Sequence, residues 1–120
     1  MTLYQLCFYV PGSHLQPVKD ALFAQGAGKI GDYDCCAWQT EGSGQFRARP
    51  GSNPFVGQLD TVETVHEYKV EMVCSAEHIK AVLTELIATH PYETPAYSVS
   101  EIMTLADFNE HYPNINLRDT

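Results

Sequence analysis

Between residues 61 and 89 the hydrophobic period switches once, from two to about 3.6, and that switch constrains the chain more than any other feature. Over 61–74, Tyr68, Val70, Met72 and Cys74 alternate with Glu67, Lys69 and Glu71, as in a strand with one buried and one wet face. Over 75–89, Ile79, Val82, Leu83, Leu86 and Ile87 fall at i, i+3, i+4, i+7 and i+8, a stripe that a helix gathers onto one side. Ser75 is placed to cap that helix, and Glu77 puts negative charge in its first turn. A one-faced strand followed by a one-striped helix must bury the two against each other, which commits the chain to layered α+β architecture.

The upstream half repeats the pattern. Residues 3–10 alternate, with Tyr4, Leu6, Phe8 and Val10 on one face, and Pro11-Gly12 ends the strand. Ser13 and Gln16 have the form of a capping box. Leu15, Val18, Leu22 and Gln25 then predict a helix over 14–25, stopped by Gly26 in the left-handed region. Residues 33–40 read as a second strand, Glu41–Phe46 as a turn followed by a short extended piece, and 51–57 as a loop. Residues 95–103 form the last strand. The order strand–helix–strand, twice, predicts a ferredoxin-like βαββαβ sandwich, with a long glycine-rich excursion between strands 2 and 3. With 120 residues, one domain is expected, since domains cluster at roughly 100–150 residues. It is placed at 1–103, followed by a tail, 104–120, with an amphipathic turn (Leu105, Phe108, His111-Tyr112) and then polar, mobile residues.

Composition narrows the partners. Seven Lys+Arg stand against 15 Asp+Glu, so neither nucleic acid nor an anionic membrane finds a basic stripe. No apolar run approaches the ~20 residues of a membrane span, and the N-terminus lacks a signal-peptide pattern. A soluble, cytoplasmic chain with reduced thiols is the expectation. None of Cys7, Cys35, Cys36 and Cys74 forms a C-x-x-C pair, so the usual zinc and redox spacings are absent.

Three segments carry candidate chemistry. Gly26-x-Gly28-x-x-Gly31 matches a dinucleotide fingerprint on paper, but it leaves a helix and enters a strand, which turns the helix dipole the wrong way. The segment 41–57 combines Gly42 and Gly44 with nearby cations Lys29, Arg47 and Arg49. Backbone amides of a glycine-rich turn plus such cations would make an anion site. The alternative is a hairpin excursion whose Phe46 and Phe55 plug into the core or a neighbouring subunit. In His90-Pro91-Tyr92-Glu93-Thr94-Pro95, Pro91 ends the helix and Pro95 makes Thr94 extended, which is a purely structural role. Functionally, His90 and Glu93 could offer a nitrogen and a carboxylate to a divalent metal ion, with Cys36 or another chain completing the set, because two ligands are too few. No catalytic triad or paired carboxylates can be argued from spacing, so no catalytic residue is assigned.

Taken together, Phe8-Tyr9-Val10-Pro11, Gly26 through Cys36, Gly42-Ser43-Gly44-Gln45-Phe46-Arg47, Gly51-Ser52-Asn53-Pro54-Phe55-Val56-Gly57 and His90 through Tyr97 resemble the CutA-like domain inserted into YqfO-type proteins. These are the dinuclear-metal GTP cyclohydrolase type-2 homologues. The resemblance spans roughly residues 4–100, and Cys35 departs from it where a polar residue or histidine is expected. It implies a CutA/PII-like ferredoxin-like fold that associates as a trimer. It does not imply catalysis, because the family's metal ligands lie in flanking domains. The expected function is a stand-alone oligomeric binding module that takes a small ligand or divalent metal at subunit clefts. The alternatives are an interaction domain docking on a separately encoded metal-hydrolase-type partner, and an enzyme with an intersubunit site.

Overall fold

The computed structural model describes residues 2–111. Strand β1 (Leu3–Pro11) leads through a single 3-10 turn, Gly12–His14, into helix α1 (Leu15–Ala24). Strands β2 (Trp38–Arg47) and β3 (Val62–Ser75) form a hairpin, and helix α2 (Ala76–Thr89), strand β4 (Tyr97–Ile102) and a short helix α3 (Leu105–His111) follow. The sheet order is β2-β3-β1-β4 with every pair antiparallel. This is the ferredoxin-like arrangement expected from the element order.

Side-chain alternation explains why both helices lie on one face. Leu6, Phe8 and Val10 of β1 stand in register with Met72, Val70 and Tyr68 of β3, so all six point the same way. Val18 and Leu22 of α1 and Val82 and Leu86 of α2 close over them, and all four are fully buried. Each such aliphatic side chain contributes about 1.5–3 kcal/mol of hydrophobic stabilisation. Ile87, at the flank of the α2 stripe, stays 47% exposed. The opposite sheet face carries Gln5, Cys7, Tyr9, Val65 and Val73 and is turned away from α1 and α2.

Two local expectations are corrected. Ser13 and Gln16 form no capping box: the Ser13 hydroxyl meets His14 Nδ1, and the Gln16 amide donates to Asp20. The 3-10 turn already feeds α1, so the orphan amides are met differently. Ser75 is the N-cap of α2 by position, but its hydroxyl bonds no helix amide.

The largest departure concerns the second strand. Residues 33–37 are irregular, because Cys35 has φ of 54°, outside any strand conformation, and Ile30 and Tyr33 exchange two 2.9 Å backbone hydrogen bonds in a tight loop. The strand begins at Trp38 and runs straight through Gly42 and Gly44 to Arg47. The glycines are strand residues rather than a turn, held by the β3 ladder from Glu71 to Val62. The excursion between strands is therefore residues 48–61. The tail begins as α3, and Tyr112 with the remainder of 104–120 lies outside the described residues.

Candidate functional site

The two central strands are unequal in length. β1 ends at Pro11, opposite Glu67, whereas β3 continues outward to Val62 beside β2 alone. Past Glu67 the sheet is thus a two-stranded ribbon, Ser43–Arg47 with Val62–His66. The 48–61 loop folds back from its tip. An Ala48–Leu59 bridge, a 2.7 Å hydrogen bond from the Asp60 amide to the Ala48 carbonyl and an Arg49–Asp60 ion pair at 3.0 Å close the base of that loop.

The other wall is the turn after α2. The His90 amide donates to the Leu86 carbonyl and ends the helix. His90 itself is 94% buried by its fractional exposure of 6%. Its Nε2–H donates to the Tyr9 carbonyl at 2.6 Å, and its Nδ1 accepts from the Tyr92 amide at 3.0 Å. That pairing requires the neutral ring with its proton on Nε2. Burial pushes the imidazole below its ordinary pKa; the Tyr9 carbonyl opposes this and neighbouring His14 adds to it. The imidazole thereby ties the end of α2 to the end of β1 and shapes the turn.

Loop and turn then meet. The Asn53 amide donates to Glu93 Oε1 at 3.0 Å, and Phe55 lies edge-on to His14 with ring centres 5.5 Å apart and 6.2 Å from the Tyr92 ring. Between them, on the sheet face turned away from α1 and α2, is a cleft of about 440 Å³ lined by Tyr9, Phe46, Phe55, Val65, Glu67 and Tyr92 among others. The Tyr92 hydroxyl donates to Glu67 Oε2 at 3.2 Å. Burial, with the Glu67 charge behind it, pushes that phenol up to about 12. Gly44 lies under the same carboxylate, and an added Cβ there would collide with Glu67 Oε1.

Of the residues singled out for an anion site, Gly44 and Arg47 border this cleft together with Arg49. Gly42 pairs with Glu67 in the ladder but does not line it, and exposed Lys29 sits on the α1–β2 connection away from it. The suggested metal set does not assemble. His90 has both nitrogens committed, Glu93 holds the loop, and Cys36 lines a shallower depression of about 280 Å³ with Ile30, Trp38 and Val73. Among the described residues no group of three or more His, Cys, Asp or Glu side chains could hold a metal ion. Glu67, Tyr92 and Tyr9 were not singled out as site residues by sequence reasoning, whereas Phe55, expected to plug into the core or a neighbouring subunit, borders the cleft and is 54% exposed. Glu67 reads as one more wet-face acid, and only the spacing of Gly44 across the hairpin marks it.

The geometry defines a ferredoxin-like domain of the CutA kind. CutA from Xylella fastidiosa superimposes with a TM-score of 0.63 at 20% identity, over 90% of this chain and 91% of that one, a likeness of fold. A Bacillus cereus protein related to NIF3 matches more closely, with a TM-score of 0.73 and 29% identity over 92% of this chain and 33% of that one. No family model matches the chain. A Mycobacterium leprae protein named GTP cyclohydrolase 1 type 2 homolog is 45% identical over 91 residues, 76% of this chain and 24% of that protein. The chain is thus homologous to one segment of the GTP cyclohydrolase 1 type 2 homologues and spans about a quarter of the length of that relative.

Proposed function

We propose that the chain is a small oligomeric binding module whose ligand occupies the cleft between the 48–61 loop and the 90–96 turn. One observation carries this reading: two segments about 40 residues apart in sequence, joined through Asn53 and Glu93, close on a common apolar hollow. Pockets of about 300–1,000 Å³ lined by aromatic side chains with a few polar groups are the usual form of small-molecule sites. His90 serves as the fastener of the turn, and Arg47 and Arg49 stand at the rim. The 1–103 region is the module and 104–120 an appended segment, with the four thiols, all unpaired, kept reduced in the cytoplasm. No helix among the described residues is long and apolar enough to cross a membrane.

Assembly belongs to the same reading. A two-stranded ribbon is marginal by itself in water, and on it Val62 is 59% exposed and Val65 only half-buried. A trimer, as in the proteins this fold resembles, covers both and brings neighbouring subunits to the cleft. Sedimentation velocity at micromolar concentration should give three times the 13.4 kDa chain mass, and Val65→Glu should give a folded monomer. A wild-type monomer at every concentration overturns the assembly.

A second reading, docking on a separately encoded partner, rests on Ile30 and Trp38, 55% and 69% exposed at the Cys36 depression, and on Tyr33, 76% exposed and hydrogen-bonded to Ile30. It predicts that Trp38→Ala abolishes capture of a metal-hydrolase-type partner while ligand binding in the cleft stays intact.

A further inference from the structure

The floor of the cleft holds one feature that a merely apolar hollow does not require. Glu67 lies across the sheet over Gly44, and its two oxygens are not equivalent. Oε2 accepts from the Tyr92 hydroxyl, whereas Oε1 accepts no hydrogen bond from any described residue. By strand alternation Gly44, Phe46, Val65 and Glu67 share the cleft's face, while Gln45 and Arg47, which also line the cleft, belong to the alternate face of β2. Arg49, the other cation there, is paired with Asp60. The charge aimed inward is therefore negative, and the walls around it are the rings of Tyr9, Phe46, Phe55 and Tyr92.

Resting on the cleft reading above, we propose that the ligand is a planar aromatic molecule that presents amidine- or amine-type N–H donors to Glu67 Oε1, its ring lying between Phe55, Phe46 and Tyr92. A carboxylate accepts such charge-assisted bonds at about twice the strength of neutral ones, and ring faces add stacking attraction. An anionic ligand would instead meet Glu67 head-on. Gly44 is a specificity determinant in this scheme, since any side chain there displaces the carboxylate. Tyr92 is a positioning residue, because its hydroxyl occupies Oε2 and leaves Oε1 for the ligand.

The test uses three probes of one shape on the full chain: benzamidine, benzoate and benzyl alcohol, followed by NMR chemical-shift titration. Benzamidine should bind at least tenfold more tightly than benzoate, with the largest shifts at Phe46, Val65 and Tyr92. Glu67→Gln should reduce benzamidine affinity at least tenfold while leaving benzyl alcohol within twofold. Gly44→Ala, which keeps Glu67 but moves it, should weaken benzamidine in the same direction. Benzoate binding as well as benzamidine, or benzamidine binding unaffected by Glu67→Gln, overturns the ligand class and leaves the cleft as a binding site. Absence of any cleft shift with all three probes at millimolar concentration overturns the cleft reading as well.

Discussion

His90 shows how one buried imidazole can be read in two opposite ways. A histidine beside a glutamate at a sheet end invites a metal, but both of its nitrogens face backbone groups, Tyr9 below and Tyr92 ahead. Replacing it with alanine leaves a half-buried carbonyl and a half-buried amide without this partner, a combined loss of about 1–3 kcal/mol, measurable by urea denaturation. Protonation has the same sense. The folded-state pKa lies below the ordinary 6.5, so the unfolded chain takes the proton more readily. The contribution is complete above that value and is lost as pH falls through it toward the folded pKa. Thermal midpoints of the wild type should therefore drop below about pH 6.5 more steeply than those of His90→Gln.

At the scale of elements, two glycines separate backbone need from side-chain room. Gly28 has φ of +78°, and a Cβ on it would meet the Cys36 carbonyl at 2.9 Å and the Phe23 ring at 2.8 Å. Its amide and carbonyl bolt the α1–β2 connection to Val73 and Cys36 at 2.8 Å each. Gly28→Ala should therefore cost about 1–3 kcal/mol in denaturant unfolding. Gly44→Ala displaces only the flexible end of Glu67 and should stay within about 1 kcal/mol while altering the cleft. The same contrast explains what could be read from the chain beforehand. β1, β3 and α2 were legible because Phe8, Val70 and Leu86 announce their face by period alone. β2 was not, because glycine carries no hydrophobic signal, and the ladder that keeps Gly42 and Gly44 extended is supplied by residues some 20 positions away in β3. Three of the five residues considered for an anion site, Gly44, Arg47 and Arg49, border one cleft, while the place of Glu67 there depends on a pairing that no local pattern shows.

For the whole molecule, the helix layer closes the buried core, and the proposed cleft lies on the opposite sheet face. Truncating the first, as in Leu86→Ala, should cost about 2–5 kcal/mol and unfold the chain at lower denaturant without altering probe affinity per folded molecule. β3 in addition carries an internal record of who its neighbours are. From Glu67 to Glu71 it has a strand on both sides, whereas from Val62 to His66 it has β2 alone. In the outer stretch every second amide faces away from the ladder, so hydrogen–deuterium exchange along a single strand should pass from uniform protection to an alternating fast–slow pattern at Glu67. Any chain that docks along this edge, a second copy included, would erase the alternation, and the residues at which it vanished would give the register of the incoming strand.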